Sequence, residues 1–292
     1  MKQHAAHREA LPEAPNRLAL DGIEFVEYAT DRPQALGQVL EMMGFRPVAR
    51  HRSREVILFR QRTMNLLVNA HLDDARLGTT EEGPVISAVG FKVRDAHRAH
   101  ARCVELGAWD APSRSQAMEL NIPAIHGPGG TRFFFVDGHD RFSIYDVDFV
   151  PIPTVDPRPV AIAGCDYFGI VQYVGTNRSA DWMAFFAEMF GFLPIPDEQR
   201  FGILPAGKLM RSPCGRFMWQ LIEPYPRGET DALPESLRRV GLGVEDVEAS
   251  VAALRARGVE FVDSEILHPE DRGALTRTML GSVAFELVHR SG

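Results

Sequence analysis

Cysteine is scarce in this chain, with Cys103, Cys165 and Cys214 its only three. An odd number without C-x-x-C spacing supports neither a disulfide framework nor a zinc knuckle, and it fits a reducing cytoplasm. Long apolar runs are missing as well. The opening stretch "MKQHAAHREALPEAPNRLAL" has no apolar core of signal-peptide length, and no later run reaches the roughly eighteen apolar residues of a membrane span. A soluble cytoplasmic protein without a membrane partner is therefore expected. A basic surplus is also lacking: the net charge is −7, and basic residues are interspersed with acidic ones. That balance offers nothing to a polyanion, so no nucleic-acid partner is expected. What is present is globular composition, 45% hydrophobic and 24% charged over 292 residues, enough for one or two domains with their own cores.

Two pairs of segments match across the chain. "LEMMGFRPVA" at 40–49 resembles "AEMFGFLPIP" at 187–196, and "VRDAHRAHARCVELGA" at 93–108 resembles "VEDVEASVAALRARGVEF" at 244–261, with Asp95 aligned to Asp246 and Gly107 to Gly258. Such self-similarity marks a duplication. Each half repeats a further pattern: a β-rich run, a helix closed by Gly, then short strands. The four quarters open on "GIEFVEYA", "VISAVGFKV", "CDYFGIVQYV" and "RRVGLGVEDV". Four βαβββ units in an α+β fold follow, with residues 1–19 a lead-in and 20–150 the first half. The segment 151–163 is a linker whose prolines resist helix and ladder alike, and 164–292 form the second half.

The stretch "VAFELVHR" at 283–290 reads as a strand carrying a carboxylate in its middle. Alternation puts Val283, Phe285 and Leu287 on one face and Ala284, Glu286 and Val288 on the other. A lone buried carboxylate is costly, so either Glu286 faces water or a partner exists.

Four such units, with these segments in order, resemble the 4-hydroxyphenylpyruvate dioxygenase family of the vicinal oxygen chelate superfamily. The resemblance runs from about residue 20 nearly to the end, through "MELNIPAIHGPGG" and "SIYDVDFV" in the first half and "WMAFFAEMFGF" and "GSVAFELVHR" in the second. It implies two open-barrel halves, the first structural and the second holding Fe(II) on two histidines and a glutamate. It implies as well a 2-oxo acid substrate, oxidoreductase activity in aromatic amino acid metabolism, and a homo-oligomer formed through the first half. Imidazole and carboxylate suit iron, and a facial triad leaves positions for substrate and dioxygen.

Glu286 falls on the family's glutamate ligand. The two histidine positions are held by Tyr167 and Arg239, and a guanidinium, always protonated, has no lone pair to give. The corresponding positions of the first half read as Phe25, Ala88 and Tyr145. His51, His71, His97, His100, His126 and His139 lie in the first half, His4 and His7 in the lead-in, and His268 in a loop. His289 should point away from Glu286. Ile222 stands where a polar substrate contact is implied and Thr276 where a glutamine is, with Gln220 and Phe285 completing the expected pocket. Two readings stay open. One is an iron dioxygenase using Glu286, Tyr167 and a further ligand. The other is a metal-free protein for small carboxylic acids, in which an Arg239–Glu286 ion pair, covered by Tyr167, occupies the iron position.

Overall fold

A computed structural model describes residues 15–72, 83–112, 119–138, 143–196, 207–223, 235–263 and 273–290. The first unit runs β1 (Gly22–Ala29), α1 (Pro33–Met42), β2 (Arg46–His51), β3 (Val56–Gln61) and β4 (Met64–Asn69). The second is β5 (Val85–Lys92), α2 (Ala96–Glu105), a single bridge residue at Asp110, β6 (Ala124–His126) and β7 (Arg132–Val136), followed by α3 (Ile144–Asp148) and β8 (Phe149–Pro151). The third is β9 (Asp166–Tyr173), α4 (Ser179–Phe190), β10 (Leu193–Ile195), β11 (Lys208–Arg211) and β12 (Met218–Ile222). The fourth is β13 (Ser236–Val244), α5 (Val247–Arg255), a bridge at Phe261, β14 (Gly273–Leu275) and β15 (Ala284–His289).

In every unit the first strand lies parallel to the last, as β1 with β4, β5 with β7, β9 with β12 and β13 with β15. Antiparallel pairs β1–β5 and β9–β13 then join two units into one sheet. The sheets are open, ordered β6-β7-β5-β1-β4-β3-β2-β8 and β10-β11-β12-β9-β13-β15-β14. This is the α+β architecture expected from the fourfold pattern.

Local chemistry explains why the repeats matched. Asp95 and Asp246 are the N-caps of α2 and α5, each accepting a hydrogen bond from the backbone N–H three residues on, at Arg98 and Ala249. An Asp there satisfies a donor the helix cannot pair. Gly44 and Gly191 follow α1 and α4 with φ of 95° and 76°, a left-handed conformation that stops a helix and that other side chains adopt only under strain.

One apolar core spans both halves. Phe91 and Phe133 of the first sheet meet Phe190, Phe217 and Trp219 of the second half, with ring centroids 5.3 to 6.2 Å apart. The proline-rich connection is pinned to the first sheet, since Arg62 N–H donates to Pro159 O at 2.7 Å and Ile162 N–H to the buried Gln61 Oε1 at 2.7 Å. Among the described residues no helix is long and apolar enough to cross a membrane.

Candidate functional site

Strand register builds the site. Glu286 of β15 lies beside Gly241 of β13, which lies across from Gly169 of β9. One rung along, Gln220, Val171 and Arg239 stand side by side on β12, β9 and β13. Side chains directly across neighbouring strands share a face, so Arg239, Glu286 and Gln220 gather on one face of the second sheet. The two glycines leave the space: a Cβ on Gly241 would stand 3.3 Å from Glu286 Oε1 and 3.4 Å from Gly169 N.

Arg239 Nε lies 3.8 Å from Glu286 Oε2, and both side chains are buried, at 9% and 7% exposure. Neither Nε nor Nη2 of Arg239, nor Oε2 of Glu286, has a hydrogen-bond partner among the described residues. The contact is thus Coulombic, and its donors stay unsatisfied. Burial pushes the Glu286 carboxyl above its ordinary range, while the Arg239 guanidinium holds it down. The Arg239 guanidinium also lies 5.9 Å from the Tyr173 ring centroid. An unpaired polar group in a buried place costs about 1–3 kcal/mol, more when charged, so this arrangement suits a ligand that supplies the missing acceptor.

Tyr167 does not cover the pair. Its hydroxyl donates to the Asn65 carbonyl on β4, and its ring belongs to the shared core. The cause is a bulge: β9 pairs Gly169 with Gly241 but Tyr167 with Leu242, leaving Phe168 as the extra residue. Tyr167 therefore takes the side of Leu242, a core residue, instead of the side of Glu286. Burial raises its hydroxyl well above the usual phenol range, which disfavours the phenolate a metal would need.

The remaining expected residues divide. Ile222 is buried beside Tyr173. Thr276 is buried, its hydroxyl accepting from Phe285 N–H at 2.9 Å. Phe285, expected at the pocket, lies in the core, because it alternates with Glu286. His289 is exposed at the end of β15, while His4, His7, His139 and His268 fall outside the described residues. The first-half equivalents also shift. Matching the rungs of the two sheets aligns Ile23 with Tyr167, Ala88 with Arg239 and Phe134 with Glu286. Phe25 corresponds instead to Gly169, and Tyr145 lies in α3.

The donor set does not fit the iron triad. One position is a guanidinium, another is a protonated hydroxyl turned to the opposite face, and no group of three His, Cys, Asp or Glu able to hold a metal occurs among the described residues. What sequence reasoning missed lies in the first half, where His51 lines a cavity. No spacing signal marks it, because the cavity lining comes from seven separate stretches of the chain.

The model for the N-terminal part of hydroxyphenylpyruvate dioxygenase matches residues 14–150. The chain is 37% identical over 182 residues to 4-hydroxyphenylpyruvate dioxygenase of Pseudomonas sp. (strain P.J. 874), covering 62% of this chain but only about half, 51%, of that relative. It is 30% identical over 263 residues to 4-hydroxyphenylpyruvate dioxygenase of Legionella pneumophila, covering 85% of this chain and 72% of that one. Proteins called hemolysin VllY, from Vibrio vulnificus, and 3-dehydroshikimate dehydratase, from Pseudomonas aeruginosa, are similar too, each at 30% identity; the chain spans 91% of the first and 44% of the second. Among solved structures, a mutant of 4-hydroxymandelate synthase from Streptomyces coelicolor superposes with a TM-score of 0.71 over 94% of both chains, at 18% identity.

Proposed function

The chain belongs to the 4-hydroxyphenylpyruvate dioxygenase family, and from that premise we propose that its second half is a metal-independent site for a small carboxylic or 2-oxo acid. Arg239 would hold the acid where the family resemblance implies iron. One observation carries the reading: Arg239 is buried at the second ligand position, and neither its Nε nor its Nη2 has a hydrogen-bond partner among the described residues. Those adjacent donors match the two oxygens of a carboxylate, and such charge-assisted forks are about twice as strong as neutral hydrogen bonds. Glu286 stands beside the incoming anion. Its carboxyl is already raised by burial, so an arriving carboxylate would favour its protonated form, which could then donate to the ligand.

Against the iron dioxygenase reading stand its two histidine positions: Arg239 offers no lone pair, and the Tyr167 hydroxyl donates to the Asn65 carbonyl. Oxygen consumption tests the choice. Protein purified without a histidine tag and supplied with Fe(II) and 4-hydroxyphenylpyruvate is expected to consume oxygen no faster than the buffer with iron alone. Stoichiometric iron together with oxygen uptake that is lost in Glu286→Ala would establish the oxygenase instead.

A further inference from the structure

The first half has its own cup, on the face of the first sheet turned away from the shared core. It encloses a cavity of about 120 Å³. An apolar cavity of about 150 Å³ accommodates a benzene ring, so this one is of ring size. Its walls are aromatic and aliphatic: Phe25 and Phe134, with centroids 5.9 Å apart, together with Leu67, Phe149 and Ile144. Gly90 makes room for this wall, as a Cβ there would stand 2.5 Å from the Phe25 ring.

The polar groups are unevenly matched in sign. Arg54, the cation on one rim, is already forked onto Glu119, with Nε donating to Oε1 at 3.1 Å and Nη2 to Oε2. Arg132 has a partner of its own. What remains is acceptor capacity. Glu27 receives the Ser87 hydroxyl at 2.7 Å and the Asn69 amide at 3.4 Å, which leaves part of its lone-pair capacity open to the cavity. The His51 ring, set edge-on to Phe149 at 5.0 Å, lines the same space; burial keeps it towards its neutral form, and its Nδ1 accepts from Ser53 N–H at 3.3 Å, so its acceptor nitrogen is used.

We propose that this cup is a second binding site, for a neutral ring-sized aromatic carrying a hydrogen-bond donor, that is, a phenol. The ring fills the space between Phe25, Leu67 and Phe134 while the hydroxyl donates to Glu27. An aromatic carboxylate is disfavoured, since Arg54 is forked onto Glu119 and three carboxylates, Glu27, Glu119 and Asp148, line the cavity. The site is independent of Arg239, which belongs to the other sheet.

Saturation-transfer NMR and calorimetric titration of the full chain with phenol, toluene and benzoate test the proposal. Phenol is expected to bind saturably and at least tenfold more tightly than benzoate. Leu67→Trp, which fills the cavity, should abolish binding of phenol and toluene. Glu27→Val, which installs the residue found at the matching rung of the other half, Val171, should weaken phenol at least tenfold while sparing toluene. Should Leu67→Trp fail to fold by circular dichroism, Glu27→Val alone decides. Absence of saturable phenol binding, unchanged affinity in Glu27→Val, or loss of the signal in the folded double variant Arg239→Met with Glu286→Leu would each overturn the proposal, the last by assigning the signal to the other cup.

Discussion

Arg239 and Glu286 are held together at a cost. Each loses its hydration, the separation of 3.8 Å is longer than a hydrogen bond, and three of their polar atoms have no partner among the described residues. Buried pairs of this kind contribute little net stability, and replacing both by apolar groups of similar volume is often neutral or stabilising by about 1–4 kcal/mol. Removing one partner strands the other and costs about 3–5 kcal/mol. Urea melts should therefore show Arg239→Met strongly destabilised and Arg239→Met with Glu286→Leu at or above the starting stability. A double variant as unstable as the single one would mean that the pair exists for folding and not for a ligand. The carboxyl adds a pH dependence with a definite sign. Because burial raises Glu286 in the folded state, its contribution is fully present below the ordinary carboxylate range and lost as pH climbs through the raised value.

At the level of strands and helices, the sequence was legible wherever one residue type answers one local need. Asp95 and Asp246 could be aligned because both cap helices, and Gly44 could be read as a stop because α1 ends in a left-handed turn. Strand alternation in "VAFELVHR" put Glu286 on the correct face without further help. It failed for Tyr167, since a bulge has no obligatory residue and Phe168 looks like any strand residue. It failed again in the first half, where a matching bulge skips Glu24 and makes Ile23, not Phe25, the counterpart of Tyr167. The bulge yields a test by metal affinity. Arg239→His places an imidazole beside Glu286 and should bind Co(II) weakly, as read by its d–d absorption. Adding Tyr167→His should leave that affinity unchanged within about twofold, because the new imidazole faces the core. A tenfold or greater gain would mean that residue 167 reaches the cup.

For the whole molecule, the duplication divides the chain into two sheets, yet the apolar interior does not respect that division. Phe91 of the first half packs against Phe190, Phe217 and Trp219 of the second, all fully buried. The periodicity that revealed four units cannot show this, because which outer faces meet depends on contacts distant in sequence. The halves should consequently unfold together. Phe91→Ala is expected to cost about 3–5 kcal/mol and to move a single transition, with tryptophan fluorescence and far-UV circular dichroism coinciding. Two separated transitions would contradict a shared core.

The same two-cup organisation frames the functional claim, in which an acid is bound in the second half by a guanidinium and no metal. Calorimetric titration of 4-hydroxyphenylpyruvate into chelator-treated protein, in buffers of different ionisation enthalpy, tests it most directly. The account predicts saturable one-to-one binding without metal, uptake of a fraction of a proton as Glu286 responds, and at least a hundredfold loss of affinity in Arg239→Met. Binding that appears only when Fe(II) is restored, and that survives Arg239→Met, would contradict it.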